Sequence, residues 1–178
     1  MVRTAAPIQP NLPETQINAF IAKFDATMAK QIRSCRAALR KLFPTAFELV
    51  YDNYNFFVIG YSATERPSDC IVSLAANAKG VGLSFYYGST LPDPNKILLG
   101  GGNQNRFIRL ESAATLAKPE VAALLRAAVV QAKHPLPASG RGAVIVRSIS
   151  AKQRPRRIVE PKISKGYPQR FRLTSARR

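Results

Sequence analysis

The chain has 178 residues, 46% of them hydrophobic, and a formal net charge of +17. This length suits one domain with a real core plus an extension. No run approaches the ~18 consecutive apolar residues of a membrane span, and the N-terminus lacks the apolar stretch of an export signal, so we expect a cytoplasmic protein. Cys35, Cys70 and His134 cannot supply four zinc ligands, and we expect both cysteines to be reduced core residues.

The first quarter of the chain has the periodicity of two helices. A helix starting near Glu14 has apolar residues at i, i+3, i+4 and i+7. Asp25 is suited to cap a second helix, which Pro44 ends just past Phe43. The second helix has one basic face, for which a plain solvated surface is the favoured interpretation. That face consists of Lys30, Arg33, Arg36, Arg40 and Lys41.

From Phe47 onward the pattern changes to short segments rich in β-branched and aromatic residues. The segments FELVYD, NFFVIGY, DCIVSLAAN and GVGLSFYYG predict four sequential strands in an antiparallel meander. Residues 77–80 have the composition of a tight hairpin, and residues 106–111 predict a fifth strand. A third helix opens at Pro119 and ends near Lys133. The sequence therefore predicts an α+β domain, with two N-terminal helices, about five antiparallel strands and one closing helix.

We assign this domain to residues 1–138 and a basic extension to residues 139–178, which contain twelve Lys and Arg and one Glu. Residues 143–149 alternate weakly and are compatible with a short added strand. From Ala151 the chain has too little apolar surface to offset its entropy, so we expect a largely disordered tail. Such a tail can neutralise phosphates, so nucleic acid or another polyanion is one candidate partner. A merely basic, solubilising extension is the equal alternative. The candidate contacts are Arg154, Arg156, Arg157, Lys162, Lys165, Arg170 and Arg172.

Residues 81–111 also contain an ordered set of short motifs. A Gly-Leu-Ser-Phe strand precedes Gly88, a Leu-Pro-Asp-Pro loop at 91–94, a Leu-Leu-Gly turn and an Arg-Phe-Ile-Arg-Leu strand. In this order the chain resembles the YdhG-like family of small bacterial domains over roughly residues 14–133. The resemblance implies helices on one face of an antiparallel sheet, similar in outline to frataxin.

Some members of that family are described as iron chaperones, so iron is the one cofactor that the resemblance implies. An iron-delivery surface needs grouped hard oxygen ligands. The helical pair of this chain offers only Glu14 and Asp25. Glu48 and Asp52, four residues apart on one predicted strand, are weak candidates for a metal site.

The remaining candidate site is a cleft at the mouth of the predicted sheet. Its residues are Tyr86, Tyr87, Asn103 and Arg106. The neighbouring Gly100-Gly101-Gly102 run is followed by a strand rather than a helix, which favours a flexible connection over a phosphate loop. No catalytic set is apparent, so we expect a non-enzymatic binding module with no cofactor. A metal chaperone and an enzyme of unrecognised type are the alternatives.

Overall fold

The computed structural model of the protein describes residues 12–158. These residues form an α+β fold with three α-helices and a six-stranded sheet. The helices are α1 (Leu12–Ile21), α2 (Ala26–Leu42) and α3 (Pro119–Val130). The strands are β1 (Phe47–Asp52), β2 (Phe57–Ser62), β3 (Cys70–Asn77), β4 (Gly80–Phe85), β5 (Arg106–Leu110) and β6 (Val144–Ile149).

The sheet has the strand order β5-β4-β3-β2-β1-β6. The first five strands form the antiparallel meander that the sequence predicts, which confirms the predicted fold class. The sixth strand pairs in parallel with β1, and its register shifts between Val50 and Tyr51. The weakly alternating residues 143–149 thus contain a strand, and this strand, β6, forms one edge of the sheet.

The core lies between the helices and one face of the sheet. A row of apolar side chains crosses five neighbouring strands on that face, since each is the register partner of the next: Val50, Ile59, Leu74, Leu83 and Ile108. These residues are at most 5% exposed and join the apolar sides of α1, α2 and α3 in one cluster. Helix α2 begins as predicted, because the Asp25 carboxylate accepts a hydrogen bond from the Met28 N–H at 2.9 Å.

The structure differs from expectation for the chain after residue 138. Residues 151–158 are not a free tail, because they continue from β6 along the end of β1. The Ser150 N–H donates to the Asp52 carbonyl, and the Arg154 N–H donates to the Tyr54 carbonyl, both at 2.9 Å. The segment has little apolar surface to bury. It is stabilised instead by these hydrogen bonds and by an ion pair described below. The candidates Lys162, Lys165, Arg170 and Arg172 lie outside the described residues.

Within residues 12–158, no helix has both the length and the apolar character required to cross a membrane.

Candidate functional site

Glu48 sits in a buried network at the start of β1. It is 3% exposed and accepts hydrogen bonds from Arg36 Nε and from the Tyr61 hydroxyl, each at 3.1 Å. The Arg36 guanidinium also donates to both oxygens of Glu14, at 2.7 and 2.8 Å. These bonds from Arg36 lower the pKa of the Glu14 carboxyl, and burial raises the pKa of Tyr61 well above its usual value. Arg36 is therefore an internal counterion and not part of the solvated face expected for α2.

Asp52 is the centre of a second buried network at the other end of β1. Its carboxylate is fully buried and accepts a bond from Arg156 Nη2 at 2.9 Å and another from Lys23 Nζ. The Arg156 guanidinium also lies 6.0 Å from the centroid of the Phe24 ring. At 4% exposure, Arg156 is closed to solvent, so its assignment as a nucleic-acid contact is wrong. The reason is that a carboxylate buried among apolar side chains requires a cation.

The predicted metal candidates are therefore both present on one strand but separately paired. The register places Glu48 opposite Tyr61 and Asp52 opposite Phe57, so the two carboxylates share the helix-facing side of the sheet, as expected. Each is already surrounded by cationic side chains. Among the described residues, no group of three His, Cys, Asp or Glu side chains is close enough to hold a metal ion. The arrangement is that of two salt-bridge networks.

The predicted cleft residues lie near one another but serve the local structure. The Tyr86 and Tyr87 rings make an edge contact with centroids 4.9 Å apart, and the Tyr87 hydroxyl donates to the Ser68 carbonyl at 3.3 Å. Arg106 donates to the Asn105 carbonyl at 2.9 Å and also to the Gly102 carbonyl. Asn103 is exposed in the same loop. The cavity beside Tyr87 has a volume of only about 10 Å³, which holds at most one water molecule.

A different group of exposed side chains comes from the turn between β1 and β2 and from residues 152–157, whose backbone bonds to that turn at Tyr54. Tyr54 and Phe56 in this turn are 48% and 41% exposed. The Arg154 guanidinium lies 5.4 Å from the centroid of the Tyr54 ring. The exposed Arg157 reaches the end of α1, where it donates to the Ala22 carbonyl at 3.2 Å. We call this group, with the exposed Lys152, the β1–β2 surface: Tyr54, Phe56, Lys152, Arg154 and Arg157.

Two of the five residues of the β1–β2 surface are among the candidates predicted from the sequence. Arg154 and Arg157 belong to the predicted basic segment, but the sequence does not indicate that they return to β1. Tyr54 and Phe56 are missed because aromatic residues between two strands are usually taken as core. The available signal is the Asp-Asn-Tyr-Asn-Phe order at 52–56, where turn-forming Asn residues flank the first aromatic.

Both cysteines are buried free thiols, as expected, and are not close to the β1–β2 surface in sequence. Burial raises the pKa of Cys35 and of Cys70 to about 11. A thiol with that pKa is a poor nucleophile near neutral pH, so we assign structural roles to both.

Comparison of the chain with protein-family models, with curated proteins and with solved structures finds no match.

Proposed function

We propose that this protein is a non-enzymatic, cytoplasmic binding module of YdhG-like type that contacts single-stranded nucleic acid without sequence preference. The observation that carries the proposal is the β1–β2 surface, where the exposed Tyr54 ring lies beside the Arg154 guanidinium and Phe56, Lys152 and Arg157 are also exposed. Proteins that bind single strands non-specifically combine these same two elements, cations for the phosphates and aromatic faces for the bases.

The charge distribution supports this proposal. The carboxylates of Glu14, Glu48 and Asp52 are committed to internal ion pairs. Lys152, Arg154 and Arg157 have no acidic partner among residues 12–158. Buried acids that are already neutralised do little to reduce the positive field outside the protein. A phosphate backbone would therefore meet a surface of nearly uniform positive sign.

The geometry of the aromatic residues favours single strands. Tyr54 and Phe56 are exposed in the turn that follows β1, where a flexible single strand can reach them. The Arg154 guanidinium lies over one face of the Tyr54 ring, so we expect a base to stack on its other face. Stacking contributes about 1–3 kcal/mol per base and hardly depends on which base is stacked. Phosphate contacts carry no sequence information either. We therefore expect affinity to depend on salt and on strand type, but not on sequence.

Fluorescence anisotropy with a labelled oligothymidine tests the proposal. Replacing Lys152, Arg154 and Arg157 by Gln should weaken binding and reduce the slope of log affinity against log salt by about 2, since each phosphate contact on a single strand contributes about 0.7. Tyr54→Ala with Phe56→Ala should weaken binding without changing that slope. Both effects should appear again with an oligonucleotide of mixed sequence.

A charge-matched control removes three exposed cations elsewhere, by changing Lys118, Arg126 and Lys133 to Gln. Equal losses in this control and in the β1–β2 variant would show that net charge alone drives binding, and would reject the assigned surface. Deletion of residues 159–178 measures the share of the remaining predicted contacts separately.

A further inference from the structure

A second cationic region lies at the opposite end of β1, where the structure contains a cleft of about 420 Å³. The cleft lies between the last turn of α2, the first residues of β1 and the loop that leads into β6. Its volume falls within the range of about 300–1,000 Å³ that is usual for small-molecule sites. The cationic side chains that line it are Arg40, Lys41 and Arg141.

The loop wall of this cleft is fixed by close backbone contacts. The Gly142 N–H donates to the Pro44 carbonyl at 3.3 Å, and the Glu48 N–H donates to the Ala143 carbonyl at 2.9 Å. A Cβ atom at residue 142 would lie 1.7 Å from the Ala46 carbonyl oxygen, so only glycine permits this approach. The cleft is therefore formed before any ligand arrives, which reduces the ordering cost of binding.

The charges around the cleft leave two cations available. Arg40 is held by Glu14 at 3.1 Å. Lys41 and Arg141 are exposed and have no ion pair with any described residue. Glu48 also lines the cleft, but its carboxylate is already bonded to Arg36 and Tyr61. The side chains that line the cleft thus carry three positive charges and one negative charge, which matches a dianion.

Helix electrostatics explain only part of this arrangement. Arg40 and Lys41 lie in the last turn of α2, where cations are favoured by the negative end of the helix. Arg141 comes from a separate segment about one hundred residues later and is brought to the same cleft by the Gly142 contact. It adds a third cation to a cleft whose one lining carboxylate, Glu48, is already bonded to Arg36 and Tyr61.

The rest of the lining comes from the apolar Phe43, Pro44 and Ala46 and from the glycines at 140 and 142. Of the three apolar side chains, Pro44 is exposed, whereas Phe43 and Ala46 are buried. A ligand that fills the cleft therefore has an anionic head and an apolar body. We propose that this cleft binds an organic phosphate monoester, with the phosphate between Lys41 and Arg141 and the organic group against Phe43. This site is at the other end of β1 from the β1–β2 surface and does not depend on it.

Calorimetric titration with phenyl phosphate at low salt tests the proposal on the full chain. We expect saturable one-to-one binding that is at least tenfold tighter than that of inorganic phosphate, which lacks the apolar group, or of phenol, which lacks the charge. Lys41→Gln and Arg141→Gln should each weaken it about tenfold or more, the usual loss for a hydrogen bond to a charged group. Both side chains are exposed, so neither variant should impair folding.

Arg126→Gln, on the exposed side of α3, is the charge-matched control and should leave the affinity for phenyl phosphate unchanged. Absence of saturable binding would overturn the proposal, as would equal affinity for inorganic phosphate. Retention of full affinity in both cleft variants would overturn it too. A loss caused by Tyr54→Ala with Phe56→Ala would move the site to the β1–β2 surface and reject the cleft.

Discussion

Replacement of Asp52 by Ala removes the only described carboxylate that pairs with the buried Arg156. Loss of one partner from a buried pair costs about 3–5 kcal/mol, because the other charge is left without compensation. The two cations paired with Asp52, Lys23 and Arg156, differ in whether they can reach water once the carboxylate is removed. The Lys23 side chain is 39% exposed and can turn its ammonium group to water. The Arg156 side chain is 2% exposed and reaches water only if residues 150–158 leave the sheet.

Release of that segment sets an upper limit on the loss. The segment is held by the Ser150 and Arg154 backbone bonds, by side-chain bonds from Gln153 to the Asp52 carbonyl and from Arg157 to the Ala22 carbonyl, each contributing about 0.5–1.5 kcal/mol, and by the contact of Arg156 with Phe24. This limit does not fall below the loss expected for the broken pair, so we expect Asp52→Ala to lower the free energy of unfolding by about 3–5 kcal/mol. For a chain of this size, each kcal/mol lowers Tm by about 2–4 °C.

Urea unfolding followed by circular dichroism measures this loss, and trypsin measures release of the segment through cleavage after Lys152 and Arg157. Cleavage should be faster in Asp52→Ala. Adding Arg156→Met should recover part of the stability, because it removes the unpaired charge and keeps an apolar chain against Phe24. The exposed Glu65 provides the control, for which Ala should change stability by less than about 0.5 kcal/mol.

The reasoning is refuted if Asp52→Ala changes stability no more than the Glu65 control and leaves the cleavage rate unchanged. It is also refuted if the double variant is less stable than the single one.

Three further outcomes follow from the burial pattern. Cys35 and Cys70 have pKa values of about 11 and should react with a disulfide reagent at pH 8 at least about 100-fold more slowly in the folded protein than in urea. Because folding raises both pKa values, the free energy of unfolding should also fall as pH rises from about 9 to 11. Leu124→Ala, at a site 3% exposed, should cost about 2–5 kcal/mol in urea unfolding, and a loss below about 0.5 kcal/mol would place this side chain outside the core. Truncation after Ala138 removes β6 and Arg156, one of the two cations paired with Asp52, so the truncated chain should unfold at a lower urea concentration than the full chain. Equal midpoints would show that the domain is complete without β6.

The sequence predicts those parts of the fold that depend on interactions between residues close together in the chain. The Asp25 cap, the helical spacing of α2 and the alternation of β3 each depend on residues within a few positions of one another. The antiparallel meander follows because short connections join neighbouring strands. The weak alternation at 143–149 suffices to suggest a strand but does not identify its partner, since nothing local selects β1.

The parts that sequence analysis misses depend on pairs distant in the chain. Arg36 has the helical position of a solvent-facing residue, yet Glu48 and Glu14 hold it at 8% exposure. Arg156 lies in a segment whose composition predicts disorder, and it is buried only because Asp52 lacks sufficient compensation without it. Amino-acid composition predicts order or disorder from the apolar content of the segment itself. It cannot show that a carboxylate far away in the chain will pair with one of the segment's cations.

The parallel pairing of β6 with β1 has a consequence for how the protein is made. At about 5–20 residues per second, roughly 5–20 s of synthesis separate Asp52 from Ile149. During that interval the backbone edge of β1 has no strand to pair with, and Asp52 has Lys23 but not Arg156. The nascent chain therefore carries an open sheet edge next to a partly compensated charge. That edge is closed and the ion pair is completed only after residues 144–156 have been synthesised.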